Sequence, residues 1–275
     1  MNINSSRYQD SCGFSDDDND AAPEKRSRQW VGILIALGLS VLFFFLVFYG
    51  PRQTVLNAFL YNCTLRIIFG LAVLRIARKL YGRLVPEILS SRENGPALIT
   101  GAGAVLYTLY HLFCVFALLS APGASFSGLT SELIFIDLFL LQITTGFYEE
   151  LCYRLLVCEG YFHGPRTLRR KLLYALISFG IFGALHLCTS LSFATFLYTG
   201  AVGFAFAVIY LNTRNIVIPM FLHFILDVFI HLQNYVPADG TLFITSDTCL
   251  TIMVLLMIFI SLVMLIRPVR LSRKE

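Results

Sequence analysis

Apolar residues run along this chain in long unbroken blocks. Eight blocks approach the ~20 residues that a helix needs to cross a hydrocarbon layer. They cover roughly residues 30–49, 55–74, 96–119, 129–158, 172–191, 193–211, 216–235 and 249–266. The fourth is longer than one span requires, so its first residues, with Glu132, are expected in the interface. The second contains Arg66 and ends in a basic cluster. The fifth and sixth nearly touch, which predicts a tight turn. A β-barrel is excluded, because its strands would alternate apolar and polar positions. The expected fold is all-α: a polytopic membrane helix bundle of about eight transmembrane helices. No internal repeat is visible.

The basic residues give this count a direction. Lys and Arg concentrate on cytoplasmic loops, so they should occupy every second connection. The N-terminal tail has Arg7, Lys25, Arg26 and Arg28. The second connection has Arg75, Arg78, Lys79, Arg83 and Arg92, and the fourth has Arg166, Arg169, Arg170 and Lys171. The sixth has Arg214, and the C-terminal tail has Arg267, Arg270, Arg273 and Lys274. The odd connections hold only Arg52, while Arg66 and Arg154 lie inside blocks. Eight helices with both termini cytoplasmic satisfy this alternation, and one helix more or fewer would break it.

Composition agrees. Hydrophobic residues make up 57% of the 275 and charged residues 14%, against ~25% charged in a soluble domain. Mean hydropathy is +0.72. The net charge of +4 forms no single patch, so no nucleic-acid partner is implied. The seven cysteines include no CxxC pair and lie mostly in apolar blocks, as reduced thiols acting as small hydrophobes do. Residues 1–29 include the acidic run Asp16-Asp17-Asp18-Asn19-Asp20 and read as a disordered cytoplasmic tail. Residues 30–267 form the transmembrane domain, with a core at about 129–235, and residues 268–275 are a basic cytoplasmic tail. The first block is too long for a signal-peptide h-region, so it reads as a retained helix.

Three blocks carry polar groups that hydrocarbon does not tolerate without a reason. The fourth has Glu149, Glu150 and Arg154, the fifth has Phe182 and His186, and the seventh has His223 and Asp227. Glu149 is ten residues before Glu159, roughly 15 Å along a helix, and His223 is nine residues past Arg214, about 14 Å. Matched depth on three helices is what a shared cavity requires. Glu150 and Arg154 are four apart, share a face and are expected to pair. Glu149 is turned about 100° from Glu150 and is expected to face a different partner. His223 and Asp227 also share a face, and Phe182 sits one turn from His186. A carboxylate beside a neutral imidazole can deprotonate water, and a second histidine with a polar neighbour can donate to an oxyanion. These parts suffice to hydrolyse an amide without a covalent intermediate. The plainer reading is that such residues only hydrogen-bond across helices. His111 and His231 have no partner pattern and read as structural, His163 lies in a loop, and Asp137 stands isolated near the outer side. No HExxH, GxSxG or intramembrane GxGD is present.

Three motifs in order, Glu149-Glu150-x-x-x-Arg154, Phe182-x-x-x-His186 and His223-x-x-x-Asp227, resemble the CAAX protease and bacteriocin-processing family. This family includes the type II CAAX prenyl endopeptidases. The resemblance implies a glutamate-dependent intramembrane endopeptidase with no cofactor. Its substrate would be a peptide or membrane-associated protein, with or without a prenyl group. Glu149 would activate water with help from His186, Glu150 and Arg154 would fix the geometry, and His223 and Asp227 would stabilise the oxyanion. Asp227 departs from the asparagine typical of prenyl-processing members. An ionised aspartate accepts hydrogen bonds and cannot donate them, so Asp227 is either a protonated donor or the group that orients His223. Three other readings stay open: a non-catalytic peptide-binding or bacteriocin-immunity protein of the same fold, a proton-coupled transporter, and a metal held by Glu149, His186 and His223. Family and size make a plasma membrane the expected location.

Overall fold

Long apolar blocks become helices because a helix satisfies its own backbone hydrogen bonds, the only open-chain solution in hydrocarbon. The computed structural model describes residues 30–81, 97–120, 129–161, 167–188, 190–235 and 246–266. Both tails and His163 lie outside the described residues. Among the described residues there are eight helices: α1 (Val31–Phe48), α2 (Val55–Tyr81), α3 (Ala97–Leu119), α4 (131–161), α5 (Leu168–His186), α6 (Phe193–Thr213), α7 (Val217–Leu232) and α8 (Ser246–Ile266). α1, α2, α4 and α6 are long and apolar enough to cross a membrane, and α3, α7 and α8 contain shorter apolar stretches. Leu34, Phe45, Ile68, Phe116 and Phe259 are all more than half exposed. That exterior is unfavourable in water and costs nothing against lipid. With charged groups inside and aliphatic groups outside, this is an integral membrane helix bundle.

Two boundaries differ from the sequence expectation. α2 runs past residue 74 to Tyr81 and carries Arg78 and Lys79 in its last turn. Basic side chains at a helix end can reach the polar interface while the helix continues. α5 begins at Leu168, where the Thr167 hydroxyl accepts from the Arg170 amide at 3.3 Å. It ends at His186, five residues before the apolar block does. The histidine therefore sits on the last turn of α5, beside the short connection to α6.

α6 is the central helix, with every residue from Gly200 to Asn212 buried. α5 packs along it, and the Ser178 hydroxyl donates to the Gly203 carbonyl at 3.1 Å. Glycine lets the two backbones approach, because a Cβ at Gly203 would meet Ser178 O and Phe182 Cβ at 2.8 Å. On the other side of the bundle α4 runs between α1, α2 and α7. Ser40 of α1 bonds Tyr153 of α4 at 2.8 Å.

α4 is not a regular α-helix. It widens into π turns at Ile136–Leu141 and Leu151–Leu156. Wide turns disturb the carbonyl ladder, and such bulges often lie at functional sites. Two tyrosines bond carbonyls of the second bulge: Tyr174 donates to Arg154 O at 3.2 Å and Tyr81 to Leu156 O at 3.1 Å.

One clamp sets the register of α4 against α7. Arg214, expected in a solvated loop, is buried and pairs with Glu159 at 2.7 Å. It also donates to Cys158 Sγ at 3.3 Å, and Tyr210 donates to Glu159 at 3.1 Å. Arg214 adopts a left-handed φ of 52°, a conformation that costs a non-glycine residue roughly 1–2 kcal/mol. Counting ten residues back from Glu159 gives Glu149, and counting nine forward from Arg214 gives His223. The clamp thus explains the matched depths.

Higher up, α4 and α7 touch at Gly146, where a Cβ would lie 2.9 Å from Met220 O and 3.7 Å from His223 Cβ. Backbone cannot yield as a flexible side chain can. Gly146→Ala is expected to lower stability by about 1–3 kcal/mol, the usual range for overpacking, and Gly146→Leu to abolish folded yield. Thermal unfolding of purified variants checks this; a tolerated leucine would contradict it.

Candidate active site

The three polar segments converge on one imidazole. His223 Nδ1 donates to Glu150 Oε1 at 2.8 Å. Its Nε2 faces Asp227 Oδ2 at 3.4 Å and Glu149 Oε2 at 3.8 Å. Glu150 Oε2 lies 3.1 Å from Arg154 Nε. A chain of contacts therefore runs from Arg154 through Glu150 and His223 to Glu149 and Asp227. The sequence suggested that Glu149 faces a different partner from Glu150. Instead the two glutamates approach the same ring from opposite nitrogens.

Accessibility divides the cluster. The Glu150 and Arg154 side chains have no exposed surface, while Glu149 keeps 15% and Asp227 16%. The first pair is therefore interior scaffold, and the second pair can meet water and substrate. Glu149 Oε2 is itself buried and has no hydrogen-bond partner among the described residues, so its acceptor capacity is unfilled.

Arg154 is held by aromatic faces as well as by charge. Its guanidinium lies 4.5 Å from the Phe182 centroid and 5.7 Å from that of Phe206. A weakly hydrated planar cation is suited to such stacking. Phe182 also packs on His186 at 4.4 Å and edge-on to His223 at 5.9 Å. Phe206, which the sequence did not single out, lies 5.5 Å from His223. His186 Nδ1 is 2.8 Å from the Phe182 carbonyl. A carbonyl only accepts, so Nδ1 carries the proton and Nε2 is the acceptor of the neutral ring. His186 is also in electrostatic reach of Asp227. Among the described residues, no three His, Cys, Asp or Glu side chains are arranged as metal ligands.

A second polar cluster was not foreseen. Asp137 is not isolated: its Oδ2 accepts from Tyr235 at 2.6 Å and from His231 at 3.1 Å, and Gln142 is 3.3 Å from its Oδ1. His231 thus has a partner that its own helix does not reveal. It ties the end of α7 to the first π turn of α4. His111, read as structural, bonds the Tyr107 carbonyl at 2.7 Å, and Tyr107 in turn donates to Leu222 O at 3.1 Å, next to His223.

Residues 130–229 match the family described as type II CAAX prenyl endopeptidase Rce1-like. The chain thus holds a stretch similar to the core of the CAAX protease family. That stretch spans α4 through most of α7 and includes all six clustered residues. No curated protein and no solved structure matches the chain. Among the polar groups in electrostatic reach of the cluster, Arg66 on α2 lies outside the matched stretch.

Removing Arg154 would leave Glu150 charged in the interior. Breaking one side of a buried pair costs about 3–5 kcal/mol. Arg154→Ala is expected to lose folded yield, and Arg154→Lys to rescue poorly, because an ammonium cannot stack between Phe182 and Phe206. Size-exclusion profiles and thermal unfolding check this. A lysine variant as stable as the parent would contradict the stacking account.

Proposed function

We propose that this chain is an intramembrane endopeptidase that hydrolyses a peptide bond near the C-terminus of a lipidated or membrane-associated peptide. The supporting observation is the split in accessibility. Glu149 and Asp227 keep some exposure beside His223, while Glu150 and Arg154 are fully enclosed. The family match over the same residues supports the class of reaction.

In this reading a water molecule is held between Glu149 and His186 Nε2. Glu149 takes its proton as the oxygen attacks the carbonyl carbon, which is general-base catalysis. His223 Nε2 donates to the developing oxyanion. Asp227, 3.4 Å from that nitrogen, orients the ring, a role that does not require an asparagine amide. Glu149 then returns the proton to the leaving amine as the C–N bond breaks. Glu150 and Arg154 hold His223 in place. The water is activated without a metal. We further propose eight membrane spans, both termini cytoplasmic and a plasma-membrane location, which the distribution of basic residues and the family resemblance support.

Cleavage of prenylated and unprenylated peptides by the purified protein in liposomes tests the proposal. Glu149→Gln and Glu149→Ala should each lower the rate by roughly 10²–10⁴-fold while unfolding at the parental temperature, and a chelator should leave the parent active. Undiminished cleavage by Glu149→Gln would sink the assignment of the base. Loss to the chelator would replace it with a metal mechanism. Binding without cleavage of any peptide would favour a binding or immunity protein.

A further inference from the structure

Arg66 is a cation inside the membrane domain that the site chemistry above does not use. It sits on α2, and its Nη1 donates to Asn62 Oδ1, one turn earlier, at 3.2 Å. Its guanidinium lies 5.3 Å from the Phe43 ring. Among the described residues it has no carboxylate within ion-pair distance, and neither Nε nor Nη2 has a hydrogen-bond partner. A guanidinium at this depth with donors to spare is costly unless an anion completes it.

Its surroundings place it beside the carboxylate cluster. Arg66 is in electrostatic reach of Glu149 and Asp227 on one side, and of Asp137 and His231 on the other. α2 and α4 run parallel, because Gly70 abuts Phe147 and Tyr81 bonds Leu156. Arg66 is four residues before Gly70, and Glu149 is two residues after Phe147. At ~1.5 Å per residue, the two Cα atoms are offset by roughly 9 Å along the bundle. Helical side chains lean toward the N-terminus, which carries the guanidinium further toward Asp137. That separation is too long for an oxyanion donor, which must stand about 3 Å from the reacting oxygen. Two or three residues of extended peptide, at ~3.3 Å each, span it.

We propose that Arg66 binds a carboxylate of the substrate, two or three residues from the scissile bond on the Asp137 side of Glu149. This rests on the proposed function and adds a specificity residue to it. Nε and Nη2 form one edge of the guanidinium fork, the edge that takes a carboxylate through two parallel bonds. The carboxylate is either the C-terminus of the peptide or an acidic side chain near it. Asn62 and Phe43 hold the fork in place for either.

Binding separates this inference from catalysis. Fluorescent prenylated peptides would be titrated into the full-length Glu149→Gln protein in nanodiscs. One peptide ends in a free acid, one in a carboxamide, and one in a carboxamide after a terminal glutamate. The free acid should bind roughly 10–100-fold tighter than the plain carboxamide, the range for a charge-assisted contact. Arg66→Gln should erase that difference while Arg66→Lys keeps part of it, and thermal unfolding would verify that both variants are folded. Tight binding of the glutamate carboxamide would assign the anion to a side chain, and weak binding would assign it to the chain end. Equal binding of all three peptides, no binding of any, or discrimination that persists in Arg66→Gln would each overturn the inference. Cleavage by the Glu149 parent, run in parallel, fails or succeeds on its own account. Discrimination without cleavage would overturn the protease reading and keep Arg66 as the anion site.

Discussion

A guanidinium with no exposed surface depends on countercharge and aromatic faces from the protein itself, and the arrangement around Arg154 organises much of this molecule. Glu150 supplies the countercharge. Phe182 from α5 and Phe206 from α6 supply aromatic faces. Tyr174 bonds the residue's own carbonyl, which lies in a π turn. Three helices are thus committed to one side chain. Glu150, held by Arg154, presents its other oxygen to His223 and brings in α7. The polar cluster is built outward from an enclosed ion pair.

Adjacent glutamates acquire different duties from this arrangement. Glu150 is enclosed and has two partners, so its geometry is fixed. Glu149 lies one position along the same helix and keeps some exposure, with one oxygen lacking a hydrogen-bond partner among the described residues. A base needs that freedom, and a scaffold group needs the opposite. Asp227 shares the open side and stands closer to His223 Nε2 than Glu149 does. The imidazole therefore has carboxylates at both nitrogens, and protons in such a cluster belong to the group rather than to one residue. Arg214 and Glu159 act at a distance by fixing how far α7 slides along α4.

Much of this was legible in the residues. Eight apolar blocks gave eight helices because continuous hydrophobicity and helical hydrogen bonding leave the chain little alternative in lipid. The three motifs could be paired by depth because helix rise is constant. Other features left no local signature. No residue pattern announces the π turns of α4, and the carbonyls of the second are bonded by Tyr81 and Tyr174 from other helices. Asp137 looked solitary because Tyr235 and His231 lie almost a hundred positions away. Arg214 looked like a loop cation because its partner, Glu159, is on another helix. Arg66 looked like a blemish in a weak span, and only the packing of α2 on α4 brings it beside the carboxylate cluster.

Direct attack by a water that Glu149 activates is the central claim, and the fate of that oxygen tests it. A single turnover in ¹⁸O-labelled water, read by mass spectrometry of peptide and protein, follows the label. Direct attack places one ¹⁸O in the new carboxyl terminus of the product and none in the protein. Label recovered in the Glu149 side chain, with unlabelled product, would show that the glutamate is a nucleophile and would contradict the account.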